Sequence, residues 1–299
     1  MPFHCNNFLF DAELKMKLFT SLITITNGKT LREKNFKQFY KNFLARSIDL
    51  FGAQRATQMN NRDAPFCIGC SDAELGQFPW QLSLQTTSHF CGGSLLSDIA
   101  FATAAHCRKS SYYAIAGTVD NQAGQKIEAN VFIGHPYYNP IRFLNDYAVG
   151  KVSTPFTLNA YAKPIQLVEP SSSRPVEGHP LVASGYGYHE MASNGRPIPI
   201  VSRYLKWTDM EYVSVKKCES IWTEQIIDQS IICADAPSTS ICSGDSGGPL
   251  VIQERGESRL LGLVSWGHVY CKLDGFPQGF ANVQWPGFNK WMRQNAGIW

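Results

Sequence analysis

The sequence predicts an all-β fold that ends in a single helix. From residue 67 onward, short β-like runs alternate with clusters of Gly, Pro, Asn and Ser, a pattern typical of β-sandwiches and β-barrels. A hydrophobic fraction of 44% and a charged fraction of 17% supply a sizeable core and argue against extended disorder. Periodicity alone does not distinguish two barrels from one large sandwich.

The predicted strands are spread over the whole of this region. They are Trp80 to Leu84, Tyr112 to Ala116, Lys126 to Phe132, Leu181 to Ser184 and Leu260 to Ser265. The one helix that the pattern supports covers about residues 286–295, because Pro286 stands at its start and Gly297 follows its end.

The first 66 residues differ from the rest in charge. Residues 29–66 carry eight Lys or Arg and three Asp or Glu, whereas residues 67–299 carry seventeen and nineteen. We interpret residues 1–28 as a leader with a signal peptide that starts at Met16, and an intracellular chain without a signal is the alternative. Residues 29–66 are interpreted as a basic pro-segment, in which apolar residues at helical spacing predict an amphipathic helix.

Charge and hydropathy argue against two classes of partner. The slightly acidic balance of residues 67–299 is unlike the basic surface that nucleic-acid binding requires. No apolar run in the sequence reaches the ~18–20 residues that a membrane span needs. We therefore expect neither nucleic acid nor a membrane as a partner.

The nine cysteines indicate an oxidising compartment. Loss of Cys5 with the leader would leave eight, and an even number in a secreted chain is typical of disulfide pairing. Zinc is the alternative, because the spacing of Cys67 and Cys70 resembles that of metal ligands. No second close pair of Cys or His follows at a suitable interval, so disulfides are favoured.

The strongest catalytic signal is the segment Cys242-Ser-Gly-Asp-Ser-Gly-Gly-Pro-Leu250. A serine hydroxyl is a weak nucleophile unless a base removes its proton and its backbone lies in an open turn, which glycines allow. Ser246 is the candidate nucleophile, and the amides of Gly244 and Ser246 are candidate donors to an oxyanion. A flexible Gly-Ser loop is the alternative, but such a linker has no use for Asp245 or Cys242.

Two further segments supply a candidate base and a candidate carboxylate. The segment Thr103-Ala-Ala-His-Cys107 holds His106 between small residues and a cysteine, and histidine titrates near neutral pH as a general base should. The segment Asn145-Asp-Tyr-Ala-Val149 places Asp146 at the start of an apolar strand. A buried aspartate needs a partner, and His106 would provide one.

With these segments in the order His, Asp, Ser, residues 67–299 resemble the chymotrypsin/trypsin family of serine peptidases. Several weaker matches occur in the same order along the chain. They are Phe78-Pro-Trp-Gln81, His89-Phe-Cys-Gly-Gly-Ser94, His135-Pro-Tyr-Tyr138, Ser184-Gly-Tyr-Gly187 and Ser265-Trp-Gly267. The resemblance implies two antiparallel Greek-key β-barrels, the first over about residues 67–160 and the second over about residues 161–285, with the active site in the cleft between them.

The resemblance also implies the chemistry. Ser246 would attack the scissile carbonyl, His106 would act as general base, and Asp146 would orient the imidazole. No metal and no organic cofactor would be needed. The expected partners are protein or peptide substrates and protein inhibitors of proteases, and the chain is expected to act as a monomer.

Three disulfide bridges are implied by the family's pairing. They are Cys91–Cys107, Cys218–Cys233 and Cys242–Cys271. A fourth bridge common in the family is missing, because both of its positions are apolar here, Leu181 and Ile252.

Substrate preference is predicted from the residues that the resemblance places around the main specificity pocket. Its floor would be Ser240, which cannot pair with Arg or Lys as a buried Asp would. Ser265, Trp266 and Gly267 would form one wall, and Gln278 stands on the opposite wall where relatives usually have a small residue. We expect cleavage after Phe, Tyr, Leu or Met, with a shallow, elastase-like pocket as the alternative.

Activation is predicted to need proteolysis, as in the family's zymogens. The expected cut after Phe66 would free the amine of Cys67, which would then pair with Asp245; a cut after Arg62 is the alternative. A bridge from Cys67 to Cys70 would require a tight turn and would prevent that insertion. The rival function is a non-catalytic homologue that binds or regulates, and the complete set of three catalytic residue types favours the enzyme.

Overall fold

The computed structural model describes residues 70–236, 239–271 and 275–299. The predicted leader and pro-segment, together with Phe66 and Cys67, lie outside these ranges. Within them, neither helix combines the length and the hydropathy that crossing a bilayer requires. The strands of the first half are β1 (Ser71–Asp72), β2 (Gln81–Gln85), β3 (His89–Leu95), β4 (Ala100–Thr103), β5 (Tyr112–Ala116), β6 (Gln125–Gly134) and β7 (Ala148–Val152).

The second half continues with seven more strands and two helices. These elements are β8 (Gln166–Leu167), β9 (Pro180–Gly185), β10 (Lys206–Val213), α1 (Val215–Ile221), β11 (Ile231–Asp235), β12 (Pro249–Glu254), β13 (Glu257–Trp266), β14 (Gln278–Asn282) and α2 (Pro286–Ala296).

Two closed six-stranded antiparallel barrels form the body of the molecule. The first has the strand order β2-β3-β4-β7-β6-β5 and closes through the pairing of β2 with β5. The second has the order β9-β10-β11-β14-β13-β12 and closes through β9 and β12. Each barrel therefore uses three consecutive strands followed by the next three in reverse order. This confirms the predicted double-barrel fold and decides against a single sandwich.

Apolar clusters within and between the barrels hold the body together. One fills the first barrel around Leu82, Leu84 and Phe101, and another fills the second barrel around Leu181 and Phe280. Another joins strands of both barrels to α2, whose Met292 is fully buried. Burying apolar surface stabilises a fold by about 25 cal/mol per Å², so such clusters are the main source of stability.

The C-terminal helix agrees with its prediction, whereas α1 was missed. α2 begins at Pro286 and ends at Ala296, and Gly297, which has a left-handed φ of 73°, follows as its C-cap. The prediction of a single helix was wrong because α1 has only seven residues and buries only Cys218. A segment so short carries no amphipathic period, and the Cys218–Cys233 bridge ties it to β11.

One strand departs from the predicted division of the chain. β1 lies within residues 67–160, the range predicted for the first barrel, but it pairs with β10 of the second. Its two residues are both exposed, so no apolar pattern could assign them to either core. The remaining domain boundaries stay predictions.

All three disulfides implied by the resemblance are present. Cys91 is bonded to Cys107, Cys218 to Cys233 and Cys242 to Cys271. The absent fourth bridge has an apolar replacement, because Leu181 and Ile252 stand directly opposite each other on β9 and β12. Both side chains are at least 95% buried, so hydrocarbon contact joins the strands where sulfurs would have done so.

Candidate active site

The loop that carries Ser246 is fixed between the two barrels. The carbonyl of Ser246 accepts a hydrogen bond from the amide of Gly92 in β3 (2.7 Å). The amide of the next residue, Gly247, donates to the carbonyl of Val264 in β13 (2.7 Å). A Cβ on Gly92 would lie 2.9 Å from the Cα of Gly248. Only glycine allows β3 to approach the loop this closely.

Two glycines in this loop have backbone angles that other residues rarely adopt. Gly244 has a φ of 101° and Gly247 a φ of 75°. A Cβ on Gly247 would lie 2.2 Å from the Oγ1 of Thr103. The turn that exposes Ser246 therefore requires glycine on both sides of the Asp245-Ser246 pair.

His106 lies in a single 3₁₀ turn, Ala105–Cys107, that follows β4. Its Nδ1–H donates to the Oδ2 of Asp146 (2.7 Å), and its backbone N–H donates to the Oδ1 of the same carboxylate (2.9 Å). These two bonds fix both the turn and the ring. The next residue, Cys107, has its sulfur 3.5 Å from the Ser246 carbonyl, so the histidine turn lies against the serine loop.

Asp146 is fully buried and accepts another hydrogen bond. The hydroxyl of Ser265 donates to its Oδ2 (2.6 Å). The neighbouring Tyr147 is also fully buried, and its hydroxyl donates to the carbonyl of Ser230 (2.9 Å). The position of the carboxylate is thus set by both barrels, since Ser230 and Ser265 belong to the second.

A buried histidine that the sequence reasoning did not single out holds the carbonyl of Gly244. The Nε2–H of His89 donates to this oxygen (2.8 Å), and its Nδ1 accepts from the hydroxyl of Ser83 (2.8 Å). Burial lowers the pKa of His89 to about 4, so the ring is neutral at pH 7 and can play both roles. The segment His89-Phe-Cys-Gly-Gly-Ser94 matches the family pattern, but nothing in its sequence predicts this hydrogen bond.

Asp245 is buried without a cationic partner among the described residues. Its carboxylate accepts from the amides of Gly187 (2.7 Å) and Cys242 (2.8 Å). Burial is the largest effect and raises the pKa of Asp245 to about 6, while the two amides oppose this shift. Beside it lies a cavity of only about 10 Å³, whose walls include Cys70 and Tyr188. This volume is about that of one water molecule.

The residues predicted to form the specificity pocket lie together, but their polar groups face one another. Ser240 is 4% exposed and its hydroxyl is within 2.8 Å of the carbonyls of Ile241 and Cys271. The side-chain amide of Gln278 donates to the Ser240 hydroxyl and to the Cys271 carbonyl (3.1 Å). Gln278 is itself 4% exposed, so it covers the predicted floor.

The opposite wall contains an exposed glycine and an aromatic side chain. Gly267 is exposed, and a Cβ there would lie 3.4 Å from the Cγ of Gln278. The ring of Trp266 packs edge-on against Trp222 at 5.2 Å. The sequence reasoning missed Trp222 because it follows α1, the helix that was also missed. Ser265, predicted for the same wall, directs its hydroxyl to Asp146 instead.

The described residues contain a single group with the composition of a metal site. It consists of Cys91, His106 and Cys107. The two cysteines are joined to each other by a disulfide, so neither offers the thiolate that metal binding requires.

Comparison with known proteins agrees with this fold. The family model described as Trypsin matches residues 67–292, which include both barrels and most of α2. These residues therefore define a serine endopeptidase, a hydrolase of peptide bonds.

Individual relatives lead to the same family. Trypsin beta of Drosophila erecta is 34% identical over 237 residues, covering 77% of this chain and 88% of the relative. Trypsin alpha-4 of Lucilia cuprina is 34% identical over 72% of this chain and 82% of its own length. Trypsin of Sarcophaga bullata is 33% identical over 82% and 94%, respectively. The chain belongs to the trypsin family.

Proposed function

We propose that the chain is a secreted serine endopeptidase, made as a zymogen, in which Ser246, His106 and Asp146 form the catalytic triad. The observation that carries this proposal is the 2.7 Å hydrogen bond between His106 Nδ1 and Asp146 Oδ2 beside the loop of Ser246. The bond leaves Nε2 as the ring nitrogen that can exchange a proton with substrate and serine.

The mechanism follows from these positions. Ser246 Oγ attacks the scissile carbonyl while His106 Nε2 takes its proton, and the buried carboxylate of Asp146 stabilises the resulting imidazolium. His106 then gives the proton to the leaving amine. Water hydrolyses the acyl-enzyme by the same steps and restores Ser246. These residues supply every proton transfer in the cycle.

The oxyanion would be held by the amides of Gly244 and Ser246. Among the described residues, neither amide donates to a protein acceptor, so both are available to a developing negative charge. His89 supports this arrangement because it holds the carbonyl of Gly244 and so limits rotation of the peptide units on either side. Donors fixed in this way stabilise the transition state without further reorganisation.

Zymogen activation is supported by the state of Asp245. Its raised pKa reflects a buried carboxylate that lacks a cation, and a newly freed α-amine would supply one. Such an amine needs more room than the 10 Å³ cavity beside Asp245, so activation would have to open this region. Cys70 in the cavity wall is disulfide-bonded. The cut site and Cys67 stay predictions.

The packing of Gln278 bears on substrate preference. The predicted cleavage after Phe, Tyr, Leu or Met would require the Gln278 side chain to leave its place over Ser240. As long as it stays there, the pocket suits small side chains, which was the shallow-pocket alternative. The absence of a carboxylate at Ser240 argues against cleavage after Arg or Lys.

Secretion and partners complete the proposal. Three disulfides in the described residues suit an oxidising, extracellular environment. Protein and peptide substrates and protein inhibitors of proteases would bind the cleft. The chain would act as a monomer, without nucleic acid or a membrane.

Active-site labelling tests the function directly. Processed material treated with a fluorophosphonate should form one adduct at Ser246, located by peptide mass mapping, because only an activated serine reacts. The variants Ser246→Ala and His106→Ala should not be labelled, whereas Ser243→Ala, three residues away in the same loop, should be labelled normally. Correctly processed, folded material that forms no adduct would establish the non-catalytic homologue instead.

A further inference from the structure

An open pocket on the first barrel has two cationic side chains among its lining residues. Its volume is about 400 Å³. Arg108, Lys109 and Ser110 form one rim, and residues 129–132 of β6 form the other. Both cations are exposed, and neither takes part in an ion pair with a described acidic side chain. We call this site the Arg108–Lys109 pocket.

The pocket begins next to the catalytic residues. Arg108 follows Cys107, whose sulfur lies 3.5 Å from the Ser246 carbonyl. The ammonium of Lys109 lies 5.4 Å from the centre of the Phe90 ring, and Phe90 precedes Cys91, the disulfide partner of Cys107. Both cations are thus attached to the bridged pair that lies against the nucleophile loop.

The proposed mechanism determines which part of a substrate would meet this pocket. His106 gives its proton to the leaving amine, so that amine must lie within hydrogen-bonding distance of the ring. The substrate residues after the scissile bond therefore start at His106, and Arg108 and Lys109 follow His106 by two and three residues in the chain. An extended chain advances ~3.3 Å per residue, so the substrate residues that we expect to meet the long Arg108 and Lys109 side chains are the second and third after the bond.

We propose that the Arg108–Lys109 pocket binds an acidic side chain, Asp or Glu, located two or three residues after the scissile bond. This inference rests on the proposed peptidase function and names a substrate class for it. A guanidinium presents a planar pair of donors that matches a carboxylate, and the adjacent ammonium adds a second positive charge.

One observation bears on the charge of the occupant. The chain's own segment 29–66 is basic and is therefore excluded as the occupant by charge.

Competition between matched peptides tests the inference. Processed enzyme is given peptides with identical residues before the bond and either Glu or Gln at the second and third positions after it. We expect kcat/KM to be about 3- to 10-fold higher for the Glu peptide, as two exposed ion pairs would give. At 1 M NaCl, where charges are screened beyond ~3 Å, the ratio should approach one. Equal rates at low salt would overturn the inference.

Variants and a second substrate separate the possible failures. Arg108→Gln/Lys109→Gln should lower the Glu-to-Gln ratio to about one. The control Lys216→Gln/Lys290→Gln removes the same charge from exposed positions in α1 and α2 and should leave the ratio unchanged; an equal loss there would refute a local site. An amide substrate with a chromophore as its leaving group has no residues after the bond. If the enzyme hydrolyses this amide but shows no preference for the Glu peptide, the pocket alone is refuted. If it does not hydrolyse the amide, the peptidase function is refuted.

Discussion

The two sides of Ser246 differ in the hydrogen-bond donors that surround their buried carboxylates, Asp146 on the first-barrel side and Asp245 on the second-barrel side. Asp146 accepts three hydrogen bonds, two from His106 and one from Ser265. Asp245 accepts only from two backbone amides, and burial raises its pKa to about 6. The first carboxylate has a partner that can become a cation, whereas the second has none among the described residues.

This difference shows that the hydrogen bonds between His106 and Asp146 are already formed, whereas the substrate pocket and the region around Asp245 are still closed. On the first-barrel side, His106 is bonded to Asp146, and the adjacent Cys107 contacts the carbonyl of Ser246. On the second-barrel side, Gln278 covers Ser240, and the cavity beside Asp245 has room for about one water molecule. Four predictions test this contrast.

The largest effect is expected from Asp146→Asn. An amide at this position offers an N–H to His106 Nδ1 and favours the wrong tautomer, so kcat should fall by about 10⁴-fold, the loss typical of this change in a Ser-His-Asp triad. Steady-state kinetics on an activated peptide amide measures it. Asp209→Asn, at an exposed position in β10, is the matched control. A loss below about ten-fold would show that Asp146 is not part of the catalytic unit.

Asp245→Asn should have the second largest effect, and only in processed enzyme. An amide carries no charge to pair with an α-amine and has one acceptor oxygen for two amide donors. The loop of Gly244 should then lose its order and kcat should fall by about 10²- to 10³-fold, as when one oxyanion donor is removed. Kinetics before and after controlled processing measure this. Processed Asp245→Asn with wild-type kcat would exclude the proposed ion pair.

Gln278→Gly should change selectivity more than rate. Removing the side chain uncovers Ser240 and lengthens the pocket, so the preference for Phe over Ala before the bond, measured as a ratio of kcat/KM values, should rise by about 10- to 100-fold. Gln253→Gly, an exposed position in β12, controls for glycine in a strand. An unchanged ratio would mean that Gln278 does not limit the pocket.

The smallest effect concerns the pH dependence of folding stability. Two buried groups beside Gly244, His89 and Asp245, change this stability in opposite directions as the pH falls. Burial lowers the pKa of His89 to about 4, so its contribution to stability is lost as the pH falls from 6.5 towards 4. Burial raises the pKa of Asp245 from 3.8 to about 6, so its contribution grows as the pH falls from 6 towards 4. The two contributions therefore cancel in large part in the wild-type chain.

Asp245→Asn removes one of these opposing contributions. Between pH 6.5 and 4.5 the variant should lose about 2 kcal/mol more stability than wild type, or roughly 5 °C in Tm. Thermal unfolding of unprocessed chains measures this, with Ser246→Ala in both to prevent self-cleavage. Parallel pH curves for the two chains would contradict the opposing titrations.

Much of the fold and part of the site could be predicted from the sequence. The strand β5 is rich in apolar residues and the helix α2 has clear signals at both ends, and the three disulfides follow from the resemblance. Short elements could not be predicted, because β1 has two residues and α1 seven, and neither shows a burial period.

Contacts between distant side chains were also beyond the sequence. His89 was part of a noted motif, but its bond to Gly244 depends on the approach of β3 to the serine loop. The position of Gln278 over Ser240 depends on the packing of β14 beside the Cys242–Cys271 bridge. Residue types identified these groups as candidates, and only three-dimensional packing decides what they contact.

The opposed residues Leu181 and Ile252 make the second barrel a place where heat resistance could be engineered. Directly paired residues in antiparallel strands have Cα atoms ~4.5–5.5 Å apart, within the range that a crosslink between cysteines accepts. Replacing both by Cys would fasten β9 to β12 and close a long loop of chain, a change typically worth about 2–4 kcal/mol. The enzyme as it stands keeps this seam free of sulfur, so reducing agents would have no bond to break there.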